Sequence, residues 1–474
     1  MKKLNLLCAT VTFLLFASIS IDTFATDGYF SAGTGTRNKG FAGAGISFLY
    51  NPFSAANNPA GIGFMDKKFS FEVGVGLFNP NRQYTVIGNP TTPDQWTPDM
   101  RYMRLGFTPG TVESGSSYFV IPTLAFTWKF GDKNAVGFNI WGNGGMNTDY
   151  EAKTYYSEII AAFPDPLPPP LGFPNPMANV TMPTGVNITQ LFVSATYARV
   201  LGENHSIGVS PIFVYQSFEA KGLEAFRDMG MAGANGAFVT GNGTSTSTGF
   251  GFKIGYQGQL FDGFRLGASV TPKISMSEFD EYKGLFAEAG NFDVPLTWTA
   301  GVSYDISENF TLMFDVKQIL YSEVKSIANP MIPTAMQPFM PNPAWDGSSP
   351  DAFTPNTTFV PLGDENGAGF GWDDMTIFKI GAEFRMVENW DFRLGYSHGG
   401  QPIGEDDVMF NILAPGLIED HISLGFTRHL GDHALHFAFT YALNKSIEGP
   451  NPFDENQRIK IEMNQMEFEL AFTF

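Results

Sequence analysis

The chain has 474 residues, with 47 acidic against 28 basic side chains and a net charge of −19, which argues against a nucleic-acid-binding surface and against a scavenger of anionic phosphates. Aromatic residues make up 15% and charged residues only 16%, with 47 Phe and 52 Gly. Past the first residues there is no apolar run long enough for a transmembrane helix, so a membrane role would have to use strands. A secreted β-sandwich or propeller is the alternative that composition leaves open.

Residues 1–25 read as a secretory signal peptide: Lys2 and Lys3, an apolar run from Leu4 to Ile21, then Thr23-Phe24-Ala25. The single cysteine, Cys8, falls inside it and leaves no internal disulfide in the mature chain. Residues 26–67 follow, rich in Gly, Ala, Ser and Asn and without strand or helix periodicity. Such a segment is either disordered or a plug. Its aromatics, among them Tyr29, Phe30, Phe41, Phe48 and Phe53, favour packing, because disordered segments are poor in them.

From residue 68 to 474 the chain alternates. Phe69, Phe71, Val73, Val75 and Leu77 oppose Ser70, Glu72, Gly74 and Gly76, and Met466, Phe468, Leu470, Phe472 and Phe474 oppose Glu467, Glu469, Ala471 and Thr473. A period of two over about ten residues fits a tilted strand crossing a hydrocarbon layer. Fourteen such strands are predicted, near 68–78, 116–130, 134–145, 187–201, 205–218, 247–260, 264–277, 293–306, 309–322, 375–387, 390–399, 419–430, 433–446 and 464–474. Tight turns such as Gly202-Glu203-Asn204 and Gly431-Asp432 alternate with long connections, expected at 79–115, 146–186, 219–246, 278–292, 323–374, 400–418 and 447–463. That asymmetry predicts an all-β fold, a transmembrane antiparallel barrel with short periplasmic turns and long outer loops. A sandwich has no reason to keep it.

Several stretches, taken in order, resemble the FadL/TodX family of outer-membrane transporters for long-chain fatty acids and other hydrophobic compounds. They are Gly40, Gly43 and Gly45 followed by Asn58-Pro59-Ala60-Gly61, Val294-Pro295-Leu296-Thr297-Trp298, Trp372-Asp373-Asp374 with Lys379 to Phe384, and Arg393 to Ser397 with Gln401-Pro402. The resemblance implies an N-terminal hatch inside the barrel, ligand capture in an extracellular groove, a lumen pocket, and sideways release through a kink in the third strand. It covers essentially the whole mature chain.

Individual residues follow. Gly142, Gly144 and Gly145 interrupt the third strand, which marks either a bend or the strand's end; Trp141 and Asn143 would flank an opening there. Gating is expected at these glycines and at Asn58, Pro59 and Ala60. Ligand binding is expected at Tyr29, Phe30, Phe41, Trp141, Asn143, the loop residues Leu223, Phe226, Met229, Leu285 and Phe286, and His398. The loop residues form either a capture groove or a satellite core. Lys253, Arg265, Lys273, Lys317, Lys379 and Arg385 share the lumen phase with Asp315, Glu383, Glu467 and Glu469. They either seat the hatch as ion pairs or receive a ligand carboxylate.

The chain departs from fatty-acid members at Gln216 to Glu219 and His398 to Gly400, where those members place basic groups. Neutral or aromatic hydrocarbons therefore remain an alternative substrate, and a barrel binding a surface partner through loops 146–186 and 323–374 is another. Glu151 to Phe163 reads as a short amphipathic helix. The histidines fit no compact metal motif, and no Ser/His pair is nominated, so no enzyme, cofactor or metal is expected. Expected partners are the hydrophobic ligand, outer-membrane lipid and, through Phe474, the barrel assembly machinery. The expected state is a monomer in the outer membrane of a Gram-negative bacterium.

Overall fold

The computed structural model describes residues 27–48, 50–91, 107–151, 183–342 and 353–474. The expected signal peptide, the amphipathic helix after Glu151 and most of the proline-rich stretch behind it lie outside these residues.

Fourteen strands form one closed wall. They are β1 Phe69–Ile87, β2 Phe119–Phe130, β3 Asn134–Asn147, β4 Gly185–Leu201, β5 His205–Lys221, β6 Ser245–Phe261, β7 Phe264–Thr271, β8 Thr297–Ser307, β9 Phe310–Ile319, β10 Met375–Val387, β11 Trp390–Gly399, β12 Asp420–Leu430, β13 His433–Asn451 and β14 Asp454–Thr473. Each pairs antiparallel with its neighbour in sequence, and β14 closes on β1 from Glu72↔Thr473 to Ile87↔Arg458. A short strand, Gly110–Glu113, adds to the upper part of β1. Closure of β14 on β1 joins the two ends of the sheet, as a wall in hydrocarbon requires.

The lower wall presents apolar side chains outward, with Val75, Leu77, Ile254, Phe314, Leu424 and Leu470 all exposed, over inward Ser, Thr, Glu and Gly. This outer girdle and the closed wall make the molecule an outer-membrane barrel. Among the described residues no helix is long and apolar enough to cross a membrane.

Two expectations about the wall are corrected. Residues 447–463 are not a long loop: β13 and β14 continue through them, paired from Lys445↔Met463 to Asn451↔Asp454. The polarity of the alternation inverts along β14. Near its end Phe468 and Leu470 face out and Glu467 and Glu469 face in, whereas higher up Ile459, Ile461 and Met463 are buried and Arg458, Lys460 and Glu462 face out. The hairpin leaves the membrane there and covers an apolar interior from water. β1 inverts likewise, with Tyr84 and Val86 buried. The second correction is that β7 ends at Thr271 and β8 starts only at Thr297. Pro272 and Pro295 cannot donate to a ladder, and the chain between them leaves the wall, closing on itself at the bridge Ile274↔Val294 and meeting β6 at the bridge Gly249↔Met276.

Residues 27–65 bond to the wall on many sides at once, which only a segment inside the barrel achieves. Asn58 Nδ2 donates to the carbonyls of Ile46 and of Tyr256 on β6 (3.0 and 2.9 Å), while its Oδ1 accepts from Ala60 N and caps the turn of 3-10 helix Pro59–Phe64. Ser206 on β5 donates to Ala60 O and Ser269 on β7 to Asn57 O (both 2.9 Å). Asn139 on β3 donates to Pro52 O at 3.0 Å.

Candidate ligand pathway

The third strand changes partner halfway up. β2 and β3 pair only from Phe130↔Asn134 to Leu124↔Ile140. Above Ile140, β3 keeps β4 alone, with a register shift between Gly142 and Gly144, which is a bulge. The free edge is taken by the N-terminal segment: Ser31 N donates to Asn143 O, and Gly145 N to Tyr29 O, both at 2.9 Å. A Cβ on Gly144 would lie 1.9 Å from Tyr29 O, so only glycine admits this contact. Across the gap, Phe119 to Thr123 of β2 keep their ladder to β1 and have no ladder partner on the β3 side among the described residues. The wall is therefore open between β2 and upper β3, and a small cavity there is bordered by Ile121, Thr123, Trp141, Gly142 and Ser31.

Behind this gap lies a cavity of about 80 Å3 bounded by Phe30, Trp141 and Phe192 and by three lysines, Lys253, Lys317 and Lys379. The Trp141 and Phe192 rings are 5.4 Å apart. Lys317 and Lys379 both bond Asp27 Oδ2, at 2.8 and 3.0 Å, and Lys379 also donates to Ala32 O at 2.5 Å. Burial would raise the Asp27 pKa, but Lys317 and Lys379 outweigh it and hold the carboxyl well below its ordinary range. Lys253 differs: it donates to the carbonyl of Ala56, and no carboxylate pairs with it among the described residues. The cavity thus combines an aromatic wall with a lysine that no carboxylate among the described residues pairs.

Most of the other lumen charges are paired, whereas Asp315 and Glu72 are buried and meet no cation in an ion pair among the described residues. Lys39 lies between Glu467 and Glu469 (2.6 and 2.5 Å). Burial works against its charge, but the two carboxylates prevail and raise its pKa above the ordinary lysine value. Glu383 gathers Arg37 (3.0 Å), Arg385 (2.9 Å) and Arg393 (3.0 Å). Arg265 pairs with Asp305 at 2.5 Å and Lys273 with Asp293 at 3.0 Å. Asp315 Oδ2 accepts from Ile46 N at 2.8 Å.

Of the residues expected to bind ligand, Phe30, Trp141 and Asn143 meet at the cavity. Tyr29 is fully buried beside it, 5.5 Å from Tyr321 and 6.2 Å from Trp372 between ring centres. Phe41 lies elsewhere, packed with Ala44, Phe48 and Met313. Leu223, Phe226 and Phe286 are buried in one continuous core under the loops, Phe226 against Phe410 (5.6 Å) and Phe286 against Phe218 (4.6 Å). Met229 and Leu285 are partly buried against the same core. His398 points outward and bonds Asp420 at 2.8 Å, away from the lumen. Phe192 and Asp27 were not expected at the site. Phe192 reads as one more inward strand residue, and a single Asp ahead of any periodic element carries no signal.

No protein-family model and no curated protein matches the chain. Solved structures do. The P. putida toluene transporter TodX superposes with a TM-score of 0.61 at 14% identity, over 94% of this chain and 98% of that one. A Pseudomonas aeruginosa FadL homologue gives 0.60 at 15% identity, over 94% and 99%. The Ralstonia pickettii toluene transporter TbuX gives 0.56 at 16% identity, over 94% and 98%. The chain therefore has the FadL/TodX-type fold along nearly its whole length.

Proposed function

We propose that the protein carries hydrophobic small molecules inward across the outer membrane, with long-chain fatty acids as its substrate class and residues 27–65 as the hatch. The observation that carries this reading is the exchange of ladder partner on β3, which puts an opening in the wall beside an aromatic cavity. A ligand arriving under the outer loops would rest against Phe30, Trp141 and Phe192. It would leave sideways between Ile121 and Gly142 into the bilayer. The step needs no bond making, because an apolar chain gains free energy on passing from water to hydrocarbon. Lys253 supports a carboxylate-bearing ligand, since among the described residues its amine meets only the Ala56 carbonyl, and an anionic partner would stabilise its charged form.

A second reading, uptake of neutral aromatic hydrocarbons, is favoured by the engagement of both Lys317 and Lys379 by Asp27, which occupies them within the protein, and by the toluene transporters among the similar structures. Binding of a long-chain fatty acid, its methyl ester and toluene to the purified protein separates the two. Tighter binding of the acid than the ester supports the first; binding of toluene with no difference between acid and ester replaces it with the second.

A further inference from the structure

The outer wall carries a recess of about 700 Å3 across β4 to β8, on the lipid side of the barrel. Two adjacent cross-strand rows define it. The first is Tyr197↔Val209↔Ile254↔Val270↔Trp298, and the second is Arg199↔Ile207↔Tyr256↔Ala268↔Ala300. Ala268 and Ala300 make a shallow floor beside the larger Val270 and Trp298. On the inner side of the same wall the hatch presses directly on the strands. A Cβ on Gly208 would lie 2.4 Å from the Pro59 carbonyl carbon, and one on Gly267 would lie 2.5 Å from Ile46 O. The wall here is a single backbone layer, filled from inside by the hatch and hollow outside.

The recess is chemically polarised. Arg199 lies beside the periplasmic turn that begins at Gly202, whereas Trp298 and Ala300 lie far up β8 from the turn at Glu308. Because strands tilt in such barrels, a cross-strand row climbs from the membrane surface toward the hydrocarbon centre. Arg199 faces outward, and among the described residues no ion pair or hydrogen bond engages its guanidinium. Tyr256, next to it in the row, holds its hydroxyl 2.8 Å from His205 Nδ1. One end is thus cationic and interfacial, and the rest is apolar.

We propose that this recess binds one glycerophospholipid of the periplasmic leaflet, with its phosphate on Arg199 and an acyl chain along the Ala268–Ala300 floor. A guanidinium suits a phosphate through paired N–H donors. The recess lies on the opposite face of the wall from the lumen cavity, with Ser269 and Thr299 bordering both, and does not rest on the transport reading.

The test uses the purified full-length mature protein, exchanged into detergent with dioleoylphosphatidylglycerol or dioleoylglycerol and examined by native mass spectrometry. Expected is one retained phosphatidylglycerol, preferred over the diacylglycerol by about fivefold, the worth of one interfacial arginine. Arg199→Ala removes the preference, while Arg428→Ala, an outward arginine stacked on Trp390 at another place on the wall, leaves it intact. Ala268→Leu with Ala300→Leu fills the floor and loses both lipids, heat-modifiable gel mobility confirming a folded barrel. Equal retention of the two lipids by the unaltered protein, or equal effects of Arg199→Ala and Arg428→Ala, overturns the proposal.

Discussion

Gly144 of the third strand and Tyr29 of the proposed hatch approach so closely that their backbones share a ladder: Gly145 N reaches Tyr29 O at 2.9 Å, and no side chain fits at Gly144. The gap in the wall and the seat of the hatch are therefore one structural feature. Gly144→Val should force the two apart, at a cost of about 1–3 kcal/mol as overpacking does. The expected outcome is a hatch that exchanges amide hydrogens faster over residues 28–33 while the barrel keeps its exchange pattern. Unchanged protection of that stretch would contradict it.

Lys39 stands between Glu467 and Glu469 inside the barrel. Lys39→Met leaves two neighbouring carboxylates buried without a cation, which costs about 3–5 kcal/mol. Thermal unfolding followed by gel mobility should show a lower transition. Adding Glu467→Gln and Glu469→Gln should recover most of the loss; no recovery would mean that Lys39 matters for its shape alone.

The Asp27 tether predicts an acid limit. A carboxyl whose pKa falls on folding contributes stability above its unfolded value, about 3.9, and loses it as pH drops through the lower folded value. Hatch protection should thus hold from pH 7 to pH 5 and weaken only below about pH 4. Asp27→Asn should lower protection at neutral pH and flatten the acid dependence. Loss of protection already near pH 6 would point to another group.

Lys253→Met should cost affinity for a long-chain fatty acid by about tenfold or more, the worth of a charge-assisted hydrogen bond, and leave affinity for its methyl ester unchanged. Titration calorimetry reads both. An equal loss for acid and ester would assign Lys253 to holding Ala56 rather than ligand.

The wall was legible wherever strands cross hydrocarbon, because there the alternation has one sign. Phe468 and Leu470 announce themselves as lipid-facing, yet the same strand hides Ile459 and Ile461 inward once it leaves the membrane. The predicted ends of β1, β13 and β14 fall near that inversion, with Pro450 and Asn451 reading as loop. Trp141 and Asn143 could be nominated because glycines interrupt the strand around them at the place where the FadL/TodX resemblance implies a kink. Asp27, Phe192 and the solitary state of Lys253 depend on contacts between distant parts of the chain. Neither propensity nor spacing encodes those.

The most direct test of the pathway is photo-crosslinking of a diazirine-bearing long-chain fatty acid to the purified protein, with the labelled peptides mapped by mass spectrometry. The account predicts label on the segments containing Trp141 to Asn143, Phe192 and Lys253, competed away by unlabelled fatty acid. Label confined to the outer loops or the lipid-facing wall, with none on those segments, would contradict it.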